Sequence, residues 1–500
     1  MWKIHEMTKI SVLLSPLILI LNFTLNHYSN AHASENVITL DDYLKQVQNS
    51  NHGFKAAAQS SRALELKSQE GELLFAPAAF ATTQFVNDEK LNSSPTSQGT
   101  KTFVDSYSFG VSKQFEMGLQ SKLSYMMNYY SIEGASPMFL KTPKFYESKT
   151  ALDLSFPLLR NFLAKETKAT TSVMKSQTMA NYYVERYKMK ALMLEAELSY
   201  WRLVLARETV KVQKDLLSKS EKIYNWNKER YLKQLADKSD FLRSEAEVQA
   251  RKIELQMAVD EEMAGIRQFN TTRGTDASEE SDVLAEALMV LDGSGSVDVK
   301  NLYIPGFSES ELREDVKAAE QQKFLVEANA QGGIERNRPA LDLFGQVALN
   351  GRDRELGKST SQAMDREYPT LTVGVKFSMP LSLGVMKDVR KGFSIDRYAA
   401  ESVYSKKLSD LKQEWFELQK KHVEAQKRLS LVNALESAQD AKIKFERDQL
   451  LRGRTTTYQV LLFEQERAAV RLSRIRVKSE ILSLVAKMKL FGKLQVAALE

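Results

Sequence analysis

The chain has 500 residues, 43% of them hydrophobic and 27% charged, too many for one compact core and too apolar for a disordered chain. Its 70 Lys and Arg against 64 Asp and Glu leave +6 spread along the whole length, which gives no footprint for nucleic acid. The absence of cysteine removes disulfides, thiolate metal sites, a cysteine nucleophile and a lipid-modified N-terminal cysteine, while 10 prolines permit long helices and 5 histidines argue against His-rich metal sites.

Lys3 and Lys9 precede an apolar run from Ile10 to Leu21, and Ala31-His32-Ala33 supplies the small residues of a cleavage site, so residues 1–33 read as a secretory signal peptide. The run is too short for a membrane anchor, and nothing later in the chain could span a bilayer as a helix. A helix is expected from Thr39 to Phe75, ended by Pro77. The period then switches to two. Tyr107, Phe109, Val111 and Phe115 alternate with Ser106, Ser108, Gly110, Ser112 and Gln114, and Glu116-Met117-Gly118 reads as a tight turn. Leu119, Leu123, Tyr125, Met127 and Tyr129 then oppose Gln120, Lys122, Ser124 and Asn128. Thr150, Leu152, Leu154 and Phe156 form a further strand, and Ala78 to Asn87 a weaker one. These lengths suit tilted strands in a membrane, yet a soluble β-sandwich gives the same alternation.

From Leu158 to about Leu235 there is neither Pro nor Gly, and Leu192, Ala196, Ser199, Leu203, Ala206, Val210, Gln213, Leu217, Ser220 and Tyr224 recur three and four apart, a coiled-coil seam. A break at Ala236-Asp237-Lys238-Ser239 precedes a second helix from Asp240 to about Phe269. After a connector (271–307) with Gly293-Ser294-Gly295 and Pro305-Gly306, the plan repeats. A helix runs from Ser308 to Glu335, strands are centred on Leu341–Asn350 and Leu371–Met379, and a long helix carries Leu408, Leu411, Trp415, Leu418, His422, Ala425, Leu429 and Val432. A break at Arg452-Gly453-Arg454 leads to a return helix. Pro157 and Pro380 mark matching strand-to-helix corners, because proline cannot donate to a ladder but can begin a helix. The first repeat thus covers 34–270 (strands about 78–157, hairpin 158–270), the second 308–491 (strands 341–379, hairpin 381–491), and 492–500 is a tail.

The two strand-closing motifs, Phe156-Pro157-Leu158-Leu159-Arg160 and Met379-Pro380-Leu381, together with the tips around Ser239–Ala246 and Gly453-Arg454-Thr455-Thr456, resemble the outer-membrane efflux protein (TolC) family over essentially the whole mature chain. The resemblance implies a mixed, mainly α fold in a homotrimer. Long antiparallel helical hairpins would form a periplasmic α-barrel, and the strands one shared transmembrane β-barrel in outer-membrane lipid. It further implies an exit duct without a cofactor. A periplasmic adaptor (membrane fusion) protein would dock on Asp237, Lys238, Ser239, Gly453, Arg454 and Thr455, and an inner-membrane pump of RND, ABC or MFS type would feed the duct. The aperture would fall at Asp240, Gln459 and Leu462. Gln459 and Leu462 are neutral where better-studied members carry acids, so the acidic candidates are Asp237 and Asp240. The first repeat also carries an extra strand pair between Tyr107 and Tyr130, and all six strands are expected to insert.

Gly357-Lys358-Ser359-Thr360 follows Gly351 by five intervening residues instead of the four of a phosphate-binding loop, and reads as a surface loop between strands. Acids on the long helices fall among Lys and Arg as on solvated faces, His422 lacks a second ligand one turn on, and no convergent polar cluster suggests an enzyme. A rival to the duct is a non-conducting tether spanning the periplasm.

Overall fold

The computed structural model describes residues 37–235, 237–277, 283–284 and 312–492; the expected signal peptide, most of the connector and nearly all of the tail lie outside them. In chain order, β1 (Val37–Ile38) precedes α1 (Leu40–Ser50) and α2 (His52–Lys67), followed by a 3-10 turn (Glu70–Phe75). The single helix expected from Thr39 to Phe75 is therefore broken at Asn51. Its side-chain oxygen caps the Phe54 amide at 2.9 Å while its own amide closes α1 onto Val47.

Next come β2 (Ala78–Asp88), α3 (Pro95–Gln98), β3 (Lys101–Gln114), β4 (Gln120–Glu133) and β5 (Lys144–Pro157). The β3–β4 turn closes on Gly118, whose φ of 95° needs glycine. A long helix α4 (Lys165–Leu232) and its return α5 (Lys238–Arg273) follow. The proline-free run predicts a helix reaching back to Leu158, but Asn161, Leu163 and Ala164 all take positive φ, between 56° and 60°. The helix begins only where the Asn161 side chain caps the amides of Glu166 and Thr167 at 2.9 and 3.2 Å.

The short β6 (Val283–Leu284) pairs in parallel with β1, an element with no sequence signal. The second repeat gives α6 (Glu314–Arg336), β7 (Ala340–Asp353), α7 (Leu356–Gln362), β8 (Pro369–Ser378), α8 (Leu383–Leu451) and α9 (Thr457–Lys489). The Gly357–Thr360 segment is thus a short helix on the sheet instead of a loop. Ser359 is fully buried there, its hydroxyl 2.9 Å from that of Ser148.

Helices of 68 and 69 residues run about 100 Å, far beyond any globule. They form a wall one helix thick: α5 packs on α4, α4 on α9, and α9 on α8. Above, α2 and α6 take the places of α5 and α9 beside α4 and α8. Because α4 sits in mid-wall it buries two stripes. Ala196, Ser199, Leu203, Ala206 and Val210 form the expected seam, and Val212 and Leu216 pack with Ala468 and Ile475 on the other side. Two aromatic-aliphatic cores brace the wall at mid-height. One gathers Tyr43, Tyr200, Phe269, Ile38 and Leu284; the other gathers Val316, Leu411, Leu418, Ile481 and Met488.

Candidate functional site

All six longer strands form one antiparallel sheet in the order β2-β3-β4-β5-β7-β8. Its register brings most of the apolar side chains of every strand to one face, with exceptions such as Asp105 on that face and Phe344 on the other. One face carries Phe85, Tyr107, Phe109, Val111, Leu123, Tyr125, Leu152, Leu154, Leu343, Val347, Leu371, Val373, Val375 and Phe377. Most of these are solvent-exposed, Leu371 by 72% and Val373 by 70%. The opposite face carries Gln84, Ser106, Ser108, Ser112, Lys122, Ser124, Asp153, Gln346, Thr372 and Lys376.

An exposed apolar face backed by a wetted one is how a strand wall in lipid encloses water. Aromatic pairs sit at both heights. Tyr129–Tyr146 and Tyr130–Phe145 lie 4.9 and 5.0 Å apart far from the helices, and Phe156–Phe162 6.2 Å apart beside them. The edges are open. β2 has no Pro and no positive charge, and β8 has only Pro369 at its start and Lys376 on the polar face, so neither is guarded against pairing.

At the far end the two hairpin turns share one hydrogen-bond pattern. The Gly453 amide donates to the Leu450 carbonyl and the Arg454 amide to the Gln449 carbonyl, both at 2.9 Å, with Gly453 at φ 72°. In the first repeat the Gln234 amide donates to the Tyr231 carbonyl (2.9 Å) and the Leu235 amide to the Arg230 carbonyl (2.8 Å), with Gln234 at φ 58°. Sequence reasoning found Gly453 but missed Gln234, because a left-handed glutamine leaves no local signal.

Lys238 and Ser239, expected in the first turn, instead open helix α5 just ahead of Asp240, the expected start of that helix, with Asp237 as its N-cap residue. All four are exposed, as are Gly453 and Arg454, while Thr455 is half-buried and the Thr456 hydroxyl caps the Gln459 amide at 3.2 Å. Gln459 and Leu462, three residues apart on one face of α9, are half-buried within the single chain. Asp240 lies on a different helix, and the turn aromatics Tyr224 and Tyr231 pack on its neighbour Phe241. Pro157 ends β5 opposite Asp342, eight residues before α4, and Pro380 lies between β8 and α8. Neither proline begins its helix, because the corner is made by the left-handed residues in one case and by Ser382 as cap residue in the other.

The sequence also gave no hint of how the stacked helices join. Asn51 donates to the Thr272 carbonyl at 2.8 Å and so links the end of α5 to the start of α2. In the second repeat Lys190, 5% exposed, reaches the Gly492 carbonyl at 2.7 Å and the Glu314 carboxylate at 2.5 Å, joining the end of α9 to the start of α6. Beside it Arg313 pairs with Asp315 and Glu414 at 2.8 and 2.9 Å and lies over the Phe491 ring. Burial alone would raise the Asp315 carboxyl, but Arg313 and Lys407 outweigh it and hold it below the ordinary value.

No family model and no curated protein matches the sequence. Solved structures do. The Campylobacter jejuni CmeC outer membrane channel superposes with a TM-score of 0.62 at 14% identity, covering 91% of this chain and 85% of that one. The outer membrane protein VceC of Vibrio cholerae gives 0.61 at 11%, covering 91% and 96%. The open state of the Neisseria gonorrhoeae MtrE outer membrane channel gives 0.62 at 14%, covering 90% and 88%. At such identities the likeness is one of fold, and the chain has the fold of these outer membrane channels, strands and long helical hairpins alike.

Proposed function

We propose that the protein is the outer-membrane exit duct of a tripartite efflux or type I secretion system in a Gram-negative-type bacterium. Three copies share one β-barrel in the outer membrane and one α-barrel in the periplasm. An adaptor docks at the tips carrying Asp237, Lys238, Ser239, Gly453, Arg454 and Thr455, and an inner-membrane pump supplies both substrate and energy. The chain itself catalyses nothing.

The observation that carries this reading is the sheet. One face is apolar and exposed, the other polar, and both edges are open. With an even number of strands, β8 of one copy and β2 of the next meet antiparallel, and their lengths of 10 and 11 residues match. The helical wall repeats the logic, since α5 and α8 form its flanks and carry exposed Ile253, Met257, Tyr398, Phe416 and Leu431 for a neighbouring copy to cover. On this reading Asp240, Gln459 and Leu462 are assigned to the narrowing end.

Conductance of the purified protein in a planar bilayer tests the reading. Discrete channels are expected from a duct, whereas a tether anchored by strands gives none. Loss of solute export on gene deletion, with no accompanying loss of a hydrolytic activity, is the cellular counterpart.

A further inference from the structure

We infer that the β3–β4 hairpin is part of the transmembrane wall, so that each subunit contributes six strands and three subunits close a barrel of eighteen. This rests on the exit-duct reading above and specifies the width of its outer-membrane segment.

The duplicated plan needs only two strands per repeat, β2 with β5 and β7 with β8. Strand order makes the hairpin an insert between the first two. β2 and β4 both run antiparallel to β3, and β5 runs antiparallel to β4, so β2 and β5 oppose each other and would still pair antiparallel if the hairpin were removed. The hairpin is not an appendage to that four-stranded frame. It is laddered on both sides, from Ala78↔Ser112 to Asp88↔Thr102 and from Gln120↔Ser155 to Ser131↔Lys144.

Its faces are in phase with the frame. Tyr107, Phe109, Val111 and Leu123 continue the apolar surface of Leu152 and Leu154, and Ser106, Ser108, Ser112 and Ser124 continue the polar one. Its turn is seated at the same height as the other strand ends. Gln114 donates to the Thr167 hydroxyl at 2.7 Å at the base of α4, and Gly118 lies against Asn161 and Ala164 at the strand-to-helix corner.

Strands about 4.8 Å apart and tilted by about 40° give a backbone diameter of about 36 Å for eighteen strands, against about 24 Å for twelve. Eighteen is a width at which barrels leave an aqueous channel. On the polar face the hairpin adds Ser106, Ser108, Ser112 and Ser124 among the larger Lys122, Met126 and Tyr130, and the bore is set by the strand number. The β-domain would therefore pass large hydrated solutes, and size selection would fall to the helical end.

The chain has no cysteine, so single substitutions carry a spin label without background. Labels at Tyr107→Cys, Phe109→Cys and Val111→Cys, in trimers reconstituted in phosphatidylcholine vesicles, should collide with lipid-dissolved oxygen. Labels at Ser106→Cys, Ser108→Cys and Ser112→Cys should collide with a water-soluble nickel chelate, the ratio swinging severalfold with period two. Leu152→Cys and Leu154→Cys against Asp153→Cys and Ser155→Cys are the internal reference. If the reference alternates and all six β3 sites meet only nickel, the hairpin stands outside the barrel; this inference fails and the duct survives. If the reference does not alternate, the membrane reading itself fails. Imaging the unsubstituted assembly in lipid discs is independent of any variant: eighteen strands support the inference and twelve overturn it.

Discussion

Lys190→Met should loosen the junction between α9 and α6. The Lys190 ammonium sits among three acceptors, Glu314 at 2.5 Å, the Gly492 carbonyl at 2.7 Å and the Leu490 carbonyl at 3.5 Å. Burial lowers the lysine pKa, and the Glu314 hydrogen bond and charge pull it back only in part, so the ion survives there through its partner. Removing the lysine leaves a buried carboxylate and two helix-end carbonyls unpaired, a loss of about 3–5 kcal/mol. Replacing both members, Lys190→Met with Glu314→Leu, leaves only the carbonyls, at about 1–3 kcal/mol. Hydrogen exchange of the amides opening α6, Val316 and Lys317, should speed up by roughly a hundredfold to a few thousandfold in the single variant and recover partly in the double. The first-repeat junction is the control: its neutral weld means that Asn51→Ala costs about 0.5–2 kcal/mol. A double variant as loose as Lys190→Met, or a single variant no looser than Asn51→Ala, would refute the ionic weld.

Gln234→Gly should tighten the first tip by about 1 kcal/mol, slowing exchange at Leu235 about fivefold, and Gly453→Gln should loosen the second by as much. Equal exchange in parent and variants would exclude backbone strain at Gln234. His422, 6% exposed on the α8 seam, has its pKa lowered by burial. Its contribution to stability is then complete above the unfolded value near 6.5 and is lost as pH falls through the folded one, so the parent should melt progressively lower below about pH 6 while His422→Leu loses that dependence. On the proposed duct reading, Leu462→Asp should raise sensitivity to divalent cations in planar-bilayer recordings, and an unchanged block would remove Leu462 from the proposed aperture. Gly453→Val should weaken adaptor binding and export; if both persist, that turn is not the docking tip.

The parts of this fold that were legible are those where one physical demand acts alone. Alternation from Tyr107 to Gln114 survives because each side chain answers to one face of one sheet, and Gly118 and Gly453 announce turns because positive φ penalises other residues. Where neighbours decide, the sequence misleads. Leu163 and Ala164 are ordinary helix formers pushed left-handed at a corner against which the β3–β4 turn is packed. On α8 the heptad steps from Leu429 to Glu436, a buried carboxylate where periodicity wants an apolar residue. It is held there by Arg471 and Arg474 of α9, at 3.5 and 2.6 Å. The tip residues Lys238 and Ser239 read as turn because they are polar, yet polar residues also suit a helix start.

The two repeats, alike in plan, differ in how far one chain satisfies them, and the difference follows the wall. α4 lies between α5 and α9 and buries residues on two sides, so its average character is neither polar nor apolar in any one direction. Among the described residues α8 packs on α9 and α6 and on no helix at the other flank of the wall, and Tyr398, Val403, Phe416, Leu431 and Phe445 stay exposed along most of its length. The sheet has the same imbalance, with β8 fully exposed on both faces save at Gly374 while β5 and β7, inside the sheet, are partly covered. An edge helix and an edge strand from the same repeat therefore present unfilled apolar surface along one continuous margin. A soluble monomer would pay for that margin in aggregation. In the proposed trimer a second copy offering α5 and β2 would cover it at both levels at once, so helical and strand closure are expected to be a single event. A variant that assembles its barrel in lipid while its α8 remains exposed to solvent-phase labelling would separate the two and contradict that coupling.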